Sequence, residues 1–354
     1  MVDAADVCCH DADRGSVAGA CRRTEAAAPE SDTSYALLVD SVRLDTVDLG
    51  LLHALQVDGR AAFSRIAEVL DVSDRTVARR FARLRAHGLA RVTGVADSRR
   101  IGHAEWLVRI RVRPGGAAAL AQALARRADT SWVTVLAGGT EVTCFFRVDA
   151  ASAAPLDALA RHPQVDSVDV QLLMRHLTER RWHGRTSALT TEQVSALAPA
   201  TTDRPDTVAM TELDRRLLPA LAVDGRADYA RLARAVDWSE SAVRRRVDEL
   251  RHHRVLRFDV EIDAGVLGFP VQAILWMTIA PGQLVAAART LATHQEAAFV
   301  GGITGPHNVI VIVVCRDASA LFDYVAGPIG ALAGLQRVES VPITAIAKRA
   351  APVV

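Results

Sequence analysis

Between Ser73 and Arg91 six arginines (Arg75, Arg79, Arg80, Arg83, Arg85 and Arg91) stand against the single acid Asp74, a local charge of +5 in a chain whose net charge is +1. A guanidinium fork can bond the N7 and O6 of guanine, and neighbouring arginines can neutralise phosphates, so this stretch is suited to gripping a duplex. The competing explanation is a solvated face in a protein whose basic residues are arginine except for Lys348. The charge is concentrated on one segment and not on the segments before it, which favours the nucleic-acid reading. A second series, Arg244, Arg245, Arg246, Arg251, Arg254 and Arg257, is diluted by Glu240, Asp248 and Glu249 to +3.

Such side chains need a rigid element to aim them. Leu51, Leu52 and Leu55 recur at helical spacing, and Gly59 in VDGR ends that helix. A second short helix is expected from about Phe63 to Val69, then a tight turn at Asp71 and Val72. Ser73 is placed to cap a third helix with Val77, Phe81 and Leu84 as its core face and Asp74 in its first turn. Two helices joined by so short a turn, with the small Ala67 at their crossing, fit a helix-turn-helix. The turn position usually takes glycine for a positive φ. Here it holds aspartate, which tolerates that conformation better than most residues. The residues expected to meet DNA are Ser73, Arg75, Thr76, Arg79, Arg80 and Arg83.

The pattern occurs twice. VDGRAAFSRIAEVLDVSDRTVARR (57–80) returns as VDGRADYARLARAVDWSESAVRRR (223–246), and across 48–91 and 214–257 about half the positions are identical without a gap. The second copy repeats the turn with Ala233, Asp237, Ser239, Val243 and Leu250, and its DNA candidates are Ser239, Ser241, Arg244, Arg245 and Arg246. After each copy the pattern reads strand, helix, two strands, helix, strand, the ferredoxin-like order. The expected fold class is therefore α+β, with two winged helix-turn-helix domains, each followed by a βαββαβ sandwich. The expected boundaries are 1–43 (disordered tail), 44–97, 98–177, 178–210 (linker, with a short helix at 191–197), 211–262 and 263–350.

The longest apolar runs, 309–315 and 271–280, fall well short of the ~20 residues a membrane span requires and read as buried strands. The first residues lack a basic region followed by an apolar segment, so the cytoplasm is the expected location. Cys144 and Cys315 sit in apolar runs, and the remaining cysteines sit in the polar tail, which predicts reduced thiols. Cys8, Cys9, His10 and Cys21 match no structural zinc spacing and receive no role. The eleven histidines pair with no nucleophile or metal-ligand spacing, so neither cofactor nor catalytic constellation is expected.

Residues 44–92 and 211–258 closely resemble the DNA-binding domain of the leucine-responsive and asparagine-synthetase regulator family, Lrp/AsnC, and 296–349 resemble its ligand-responsive βαββαβ domain. The resemblance implies a sequence-specific transcriptional regulator on double-stranded DNA. Single-repeat chains of that family dimerise, so two fused repeats imply a covalent pseudo-dimer that offers two recognition helices to two half-sites, with self-association of such chains. It also implies an amino-acid or small-metabolite effector near the turn between the second and third sandwich strands. Here that turn carries Thr304, Gly305, His307 and Asn308, without the family's aromatic and aspartate pair. Two other classes share these features: a DNA-compacting protein using the same basic helices, and an enzyme resembling the siroheme decarboxylases. The regulator is the leading expectation.

Overall fold

The computed structural model describes residues 43–149, 157–177, 188–199 and 208–350. The tail up to residue 42, with Cys8, Cys9, His10 and Cys21, lies outside the described residues. The strands in chain order are β1 (Ala90–Ala96), β2 (His103–Val112), β3 (Thr130–Leu136), β4 (Glu141–Asp149), β5 (Val165–His176), β6 (Leu256–Ile262), β7 (Val271–Ile279), β8 (Ala297–Ile303), β9 (Val309–Cys315) and β10 (Leu335–Lys348).

Each head is three helices and a wing. The first has Thr46–Val57, Phe63–Leu70, Asp74–Ala86 and β1, and the second has Glu212–Val223, Tyr229–Val236, Glu240–His252 and β6. Both open on a capping box, Asp45 with Asp48 and Thr211 with Asp214, which satisfies the first free N–H groups of the helix. In the turns Asp71 (φ 53°) and Asp237 (φ 62°) take the left-handed conformation expected of them. Ser73 then accepts from the N–H of Thr76, and Ser239 from that of Ala242, so both recognition helices start where the sequence places them. Val77, Phe81 and Leu84 face inward, as do Val243, Val247 and Leu250.

The heads share one core, which reading them as separate domains does not anticipate. β1 and β6 pair antiparallel, with Thr93 opposite Asp259. Those two residues are repeat equivalents, so a pseudo-twofold axis passes between them. A continuous apolar cluster includes Leu51, Ile66 and Phe81 from one head and Leu217, Leu232 and Val247 from the other. A Cβ on Gly59 would lie 2.7 Å from the Phe258 carbonyl oxygen, and one on Gly225 would lie 2.9 Å from the Thr93 backbone. The glycine of VDGR, whose φ is not positive in either copy, is therefore required by close packing against a wing.

The segment read as a linker also joins this core. Its helix, Thr191–Leu197, lies against the first head, where Leu197 is fully buried and Gln193 donates to the Val69 carbonyl at 2.8 Å. The Leu189 N–H donates to Nδ1 of His53 at 3.1 Å, and burial lowers the His53 pKa, so the ring stays neutral and can accept.

Both βαββαβ units form in the expected order, yet they are not two separate sandwiches. β5 pairs with β8 and β10 pairs with β3, closing eight strands into one barrel in the order β10-β3-β4-β2-β5-β8-β9-β7. Closure removes the open edges that two isolated four-stranded sheets would leave unpaired. Helix Ala117–Ala125 packs on the outside of the first half and Leu284–Thr293 on the second. Leu107, Phe145, Ile274, Trp276, Ile310 and Val341, drawn from both halves, fill the interior. Arg109 spans the interior, bonding Glu141 on its own half and Glu339 on the other, each at 2.7 Å, with its guanidinium 4.9 Å from the Trp276 ring centroid. Cys144 and Cys315 are buried free thiols, as expected, and burial pushes the Cys144 thiol up to about 12.

Candidate nucleic-acid interface

The recognition helices divide their arginines between bracing and presentation. In the first head Arg80 bonds Asp45 and Asp48, and Arg83 bonds Asp48. In the second, Arg246, the repeat equivalent of Arg80, donates through Nε to Asp214 at 2.8 Å and through Nη1 to Glu249 at 2.9 Å. Asp48 and Asp214 are both 0% exposed, so each pair pins the recognition helix to the first helix of its head. Burial works to raise the Asp214 carboxyl, but the bonds from Arg246 and Thr211 outweigh it and hold the group below the ordinary carboxylate range. Arg80, Arg83 and Arg246, expected at DNA from sequence, thus point their charge inward.

Arg85 reaches Asp224 in the opposite head at 3.0 Å, and Arg251 reaches Asp58 at 2.8 Å, a reciprocal pair across the pseudo-axis. Among the described residues, Arg75 and Arg79 in the first head and Arg245 in the second remain exposed with no carboxylate partner for their guanidinium groups. Arg79 and Arg245 are repeat equivalents on the outer face of the two helices. Arg244 is held by Glu240 at 2.9 Å and lies 4.4 Å from the Tyr229 ring centroid. The caps carry linked hydroxyls, Ser73 with Thr76 at 2.9 Å and Ser239 with Ser241 at 3.2 Å.

Sequence reasoning singled out the VDGR repeat without giving its arginines a role. Arg60 donates to the carbonyls of Gly225 and Ala227 at 2.6 and 2.9 Å, and Arg226 to those of Gly59 and Ala61 at 2.8 and 3.0 Å. Each also stacks on an aromatic of the other head, Arg60 at 4.5 Å from Tyr229 and Arg226 at 4.2 Å from Phe63. The signal was available: VDGRA is identical in both copies, and a turn alone does not require arginine.

The barrel turn brings together the other expected residues. Thr304 accepts from the Leu172 N–H at 2.9 Å, and Asn308 bonds both the N–H and the carbonyl of Ile279, at 2.9 and 2.7 Å. Gly305 has φ 103°, which favours glycine, and sits over Gln171. His307 is 8% exposed, 3.6 Å from Glu339; burial keeps its pKa below the ordinary 6.5 although Glu339 works to raise it. Of the four, His307 is the one whose polar edge faces the barrel's charged cluster.

Residues 44–85 and 210–251 each match the AsnC-type helix-turn-helix domain, and 283–353 match a C-terminal dimeric α+β barrel domain of AsnC type. The chain thus carries two AsnC-type helix-turn-helix domains and one AsnC-type C-terminal domain. It is similar to an uncharacterized HTH-type transcriptional regulator of Pyrococcus furiosus, 28% identical over 140 residues that make up 39% of this chain and 95% of the relative. It is also similar to the HTH-type transcriptional regulator LrpA of Pyrococcus horikoshii, 26% identical over 128 residues, 36% of this chain and 91% of that one. Nearly the whole of each relative thus aligns with well under half of this chain, as a fused pair of repeats requires. The crystal structure of the siroheme decarboxylase NirDL superimposes with a TM-score of 0.58 over 86% of this chain and 93% of that one at 14% identity, a likeness of fold.

Proposed function

We propose that this chain is an Lrp/AsnC-type, sequence-specific DNA-binding transcriptional regulator acting in the cytoplasm, with both reading heads supplied by one polypeptide. The observation that carries the reading is the equivalent pair Arg79 and Arg245, exposed on recognition helices whose spacing is fixed by a shared core and the β1–β6 pairing. A helix set in the major groove can fork such an arginine onto guanine, and serine and threonine hydroxyls at its start can meet the backbone. Its site is two unlike half-sites about ten base pairs apart, or a multiple of that. The heads differ at Arg75 against Ser241 and Ala78 against Arg244, early in each helix.

Selection of bound duplexes from a random pool, followed by footprinting, tests the reading. A recurrent motif supports a regulator. Binding of any sequence alike, with a steep salt dependence, would replace it with a DNA-compacting role. Effector control is the finer part of the proposal: a small polar metabolite docks beside Thr304, Gly305, His307 and Asn308 and alters DNA affinity through the barrel. Calorimetry with amino acids and related acids checks it, and binding that survives His307→Ala undiminished would place the site elsewhere. The likeness to NirDL concerns fold, and the reading here is non-enzymatic. An absorbance band gained on adding a tetrapyrrole would count against it.

A further inference from the structure

We propose that the seam between the heads carries a grip for one backbone phosphate of the bound duplex, formed by Arg60, Arg226 and Arg244 around Tyr229 on the second head's side alone. The inference rests on the DNA-binding reading and adds to it a polarity, because a one-sided grip orients the duplex.

An open cleft of about 360 Å³ is lined by Arg60, Arg226, Asp228, Tyr229, Glu240 and Arg244. Glu240 and Arg244 belong to the first two turns of the recognition helix, so the cleft opens beside the end of that helix that enters a groove. The Tyr229 ring is stacked by two guanidinium groups, Arg60 at 4.5 Å and Arg244 at 4.4 Å from its centroid.

The charge there is incompletely matched. A guanidinium has five donors, and Arg60 and Arg226 each spend two on carbonyls of the opposite head. Neither guanidinium has a carboxylate bonded to it among the described residues. Burial, reinforced by the nearby Arg60, lowers the Arg226 pKa to about 10 although Asp58 and Asp224 work to raise it, and those two carboxylates are bonded to Arg251 and Arg85. The acids at the cleft are already engaged: Glu240 holds Arg244, and Asp228 caps its helix by accepting from the Arg231 N–H at 2.6 Å. A phosphodiester supplies the missing negative charge and accepts from several N–H donors at once.

On the first head's side the equivalents are Ala62, Phe63, Asp74 and Ala78 in place of Asp228, Tyr229, Glu240 and Arg244. Arg226 still stacks on Phe63, but a third guanidinium and the hydroxyl are missing. The seam is therefore symmetric in its packing and one-sided in what it offers an anion.

The test scans single uncharged methylphosphonate linkages through the selected DNA site, bound by the full chain. One linkage between the half-sites, on one strand only, should cost about tenfold in affinity, the scale of a charge-assisted contact. In Arg244→Met, checked for an unchanged melting temperature, that penalty should fall below about twofold, and Tyr229→Phe should reduce it in part. Central linkages that cost nothing, while linkages beside the Arg79 and Arg245 contacts do cost affinity, would overturn the grip and leave the DNA reading standing. Equal penalties on both strands would overturn its one-sidedness. A chain that binds no duplex saturably would take both readings down together.

Discussion

On the first recognition helix two exposed guanidinium groups, Arg75 and Arg79, have no carboxylate partner among the described residues, whereas on the second Arg245 has this status and Arg244 is tied to Glu240 and Tyr229. Both recognition segments hold six arginines. The difference comes from the carboxylates that engage them: Asp45 and Asp48 in one head, Asp214, Glu240 and Glu249 in the other, with Asp58 and Asp224 exchanged across the seam. Local net charge therefore measures two quantities at once, the charge that braces the helix and the charge left for a partner. The heads differ modestly in the second, and in the first they differ in how the bracing is shared: Arg80 and Arg83 both hold Asp48, whereas Arg246 holds Asp214.

The largest effect should come from breaking a brace. Arg246→Ala leaves the buried Asp214 without its main counter-ion and should cost about 3–5 kcal/mol, read by denaturant titration. Arg80→Ala should cost less, because Arg83 stays on Asp48. Equal losses would erase this contrast between the heads. The Asp214 carboxyl is depressed below its ordinary 3.8, so its brace stabilises above that value and is lost as pH falls through the folded-state value. Arg246→Ala should flatten that acid limb.

The next effect concerns the helix that packs on the first head. Leu197→Ala empties a fully buried site and should destabilise the first head by about 3 kcal/mol. Hydrogen exchange should report the loss first around Phe63–Leu70, with Tyr229–Val236 of the second head less affected; a uniform change would mean that the shared core transmits it.

Smaller changes address DNA alone. Arg79→Ala and Arg245→Ala should each weaken binding by about 1–3 kcal/mol with melting temperature unchanged. Affinity unchanged within error at fixed salt, for either variant, would remove that helix from the interface. The smallest effect sharpens the asymmetry: Arg75→Ala should lower the slope of log affinity against log salt by about one, while Ser241→Ala, its counterpart, should leave the slope unaltered.

Much of this was legible in the chain. The exact register of the repeat, the serine caps at Ser73 and Ser239, the left-handed aspartates and the order of the βαββαβ units all follow from local rules, because a cap, a turn or an amphipathic face involves residues within a few positions of one another. The position of the third helix of each head was legible for the same reason. Which arginines on it are free was not. Arg80 and Asp48 stand 32 positions apart, and their pairing depends on how two helices cross.

By itself the sequence determined the elements, their duplication and the surplus of arginine on two particular helices, since those are properties of neighbours along the chain. Tertiary structure decided the rest. It paired β1 with β6, merged the heads into one core, closed two sheets into a single barrel, and set Arg60 and Arg226 into each other's turns across about 165 residues. The physical reason is that an unpaired strand edge, an uncovered apolar face and a buried charge can each be satisfied by a partner distant in sequence, and only folding brings that partner into contact.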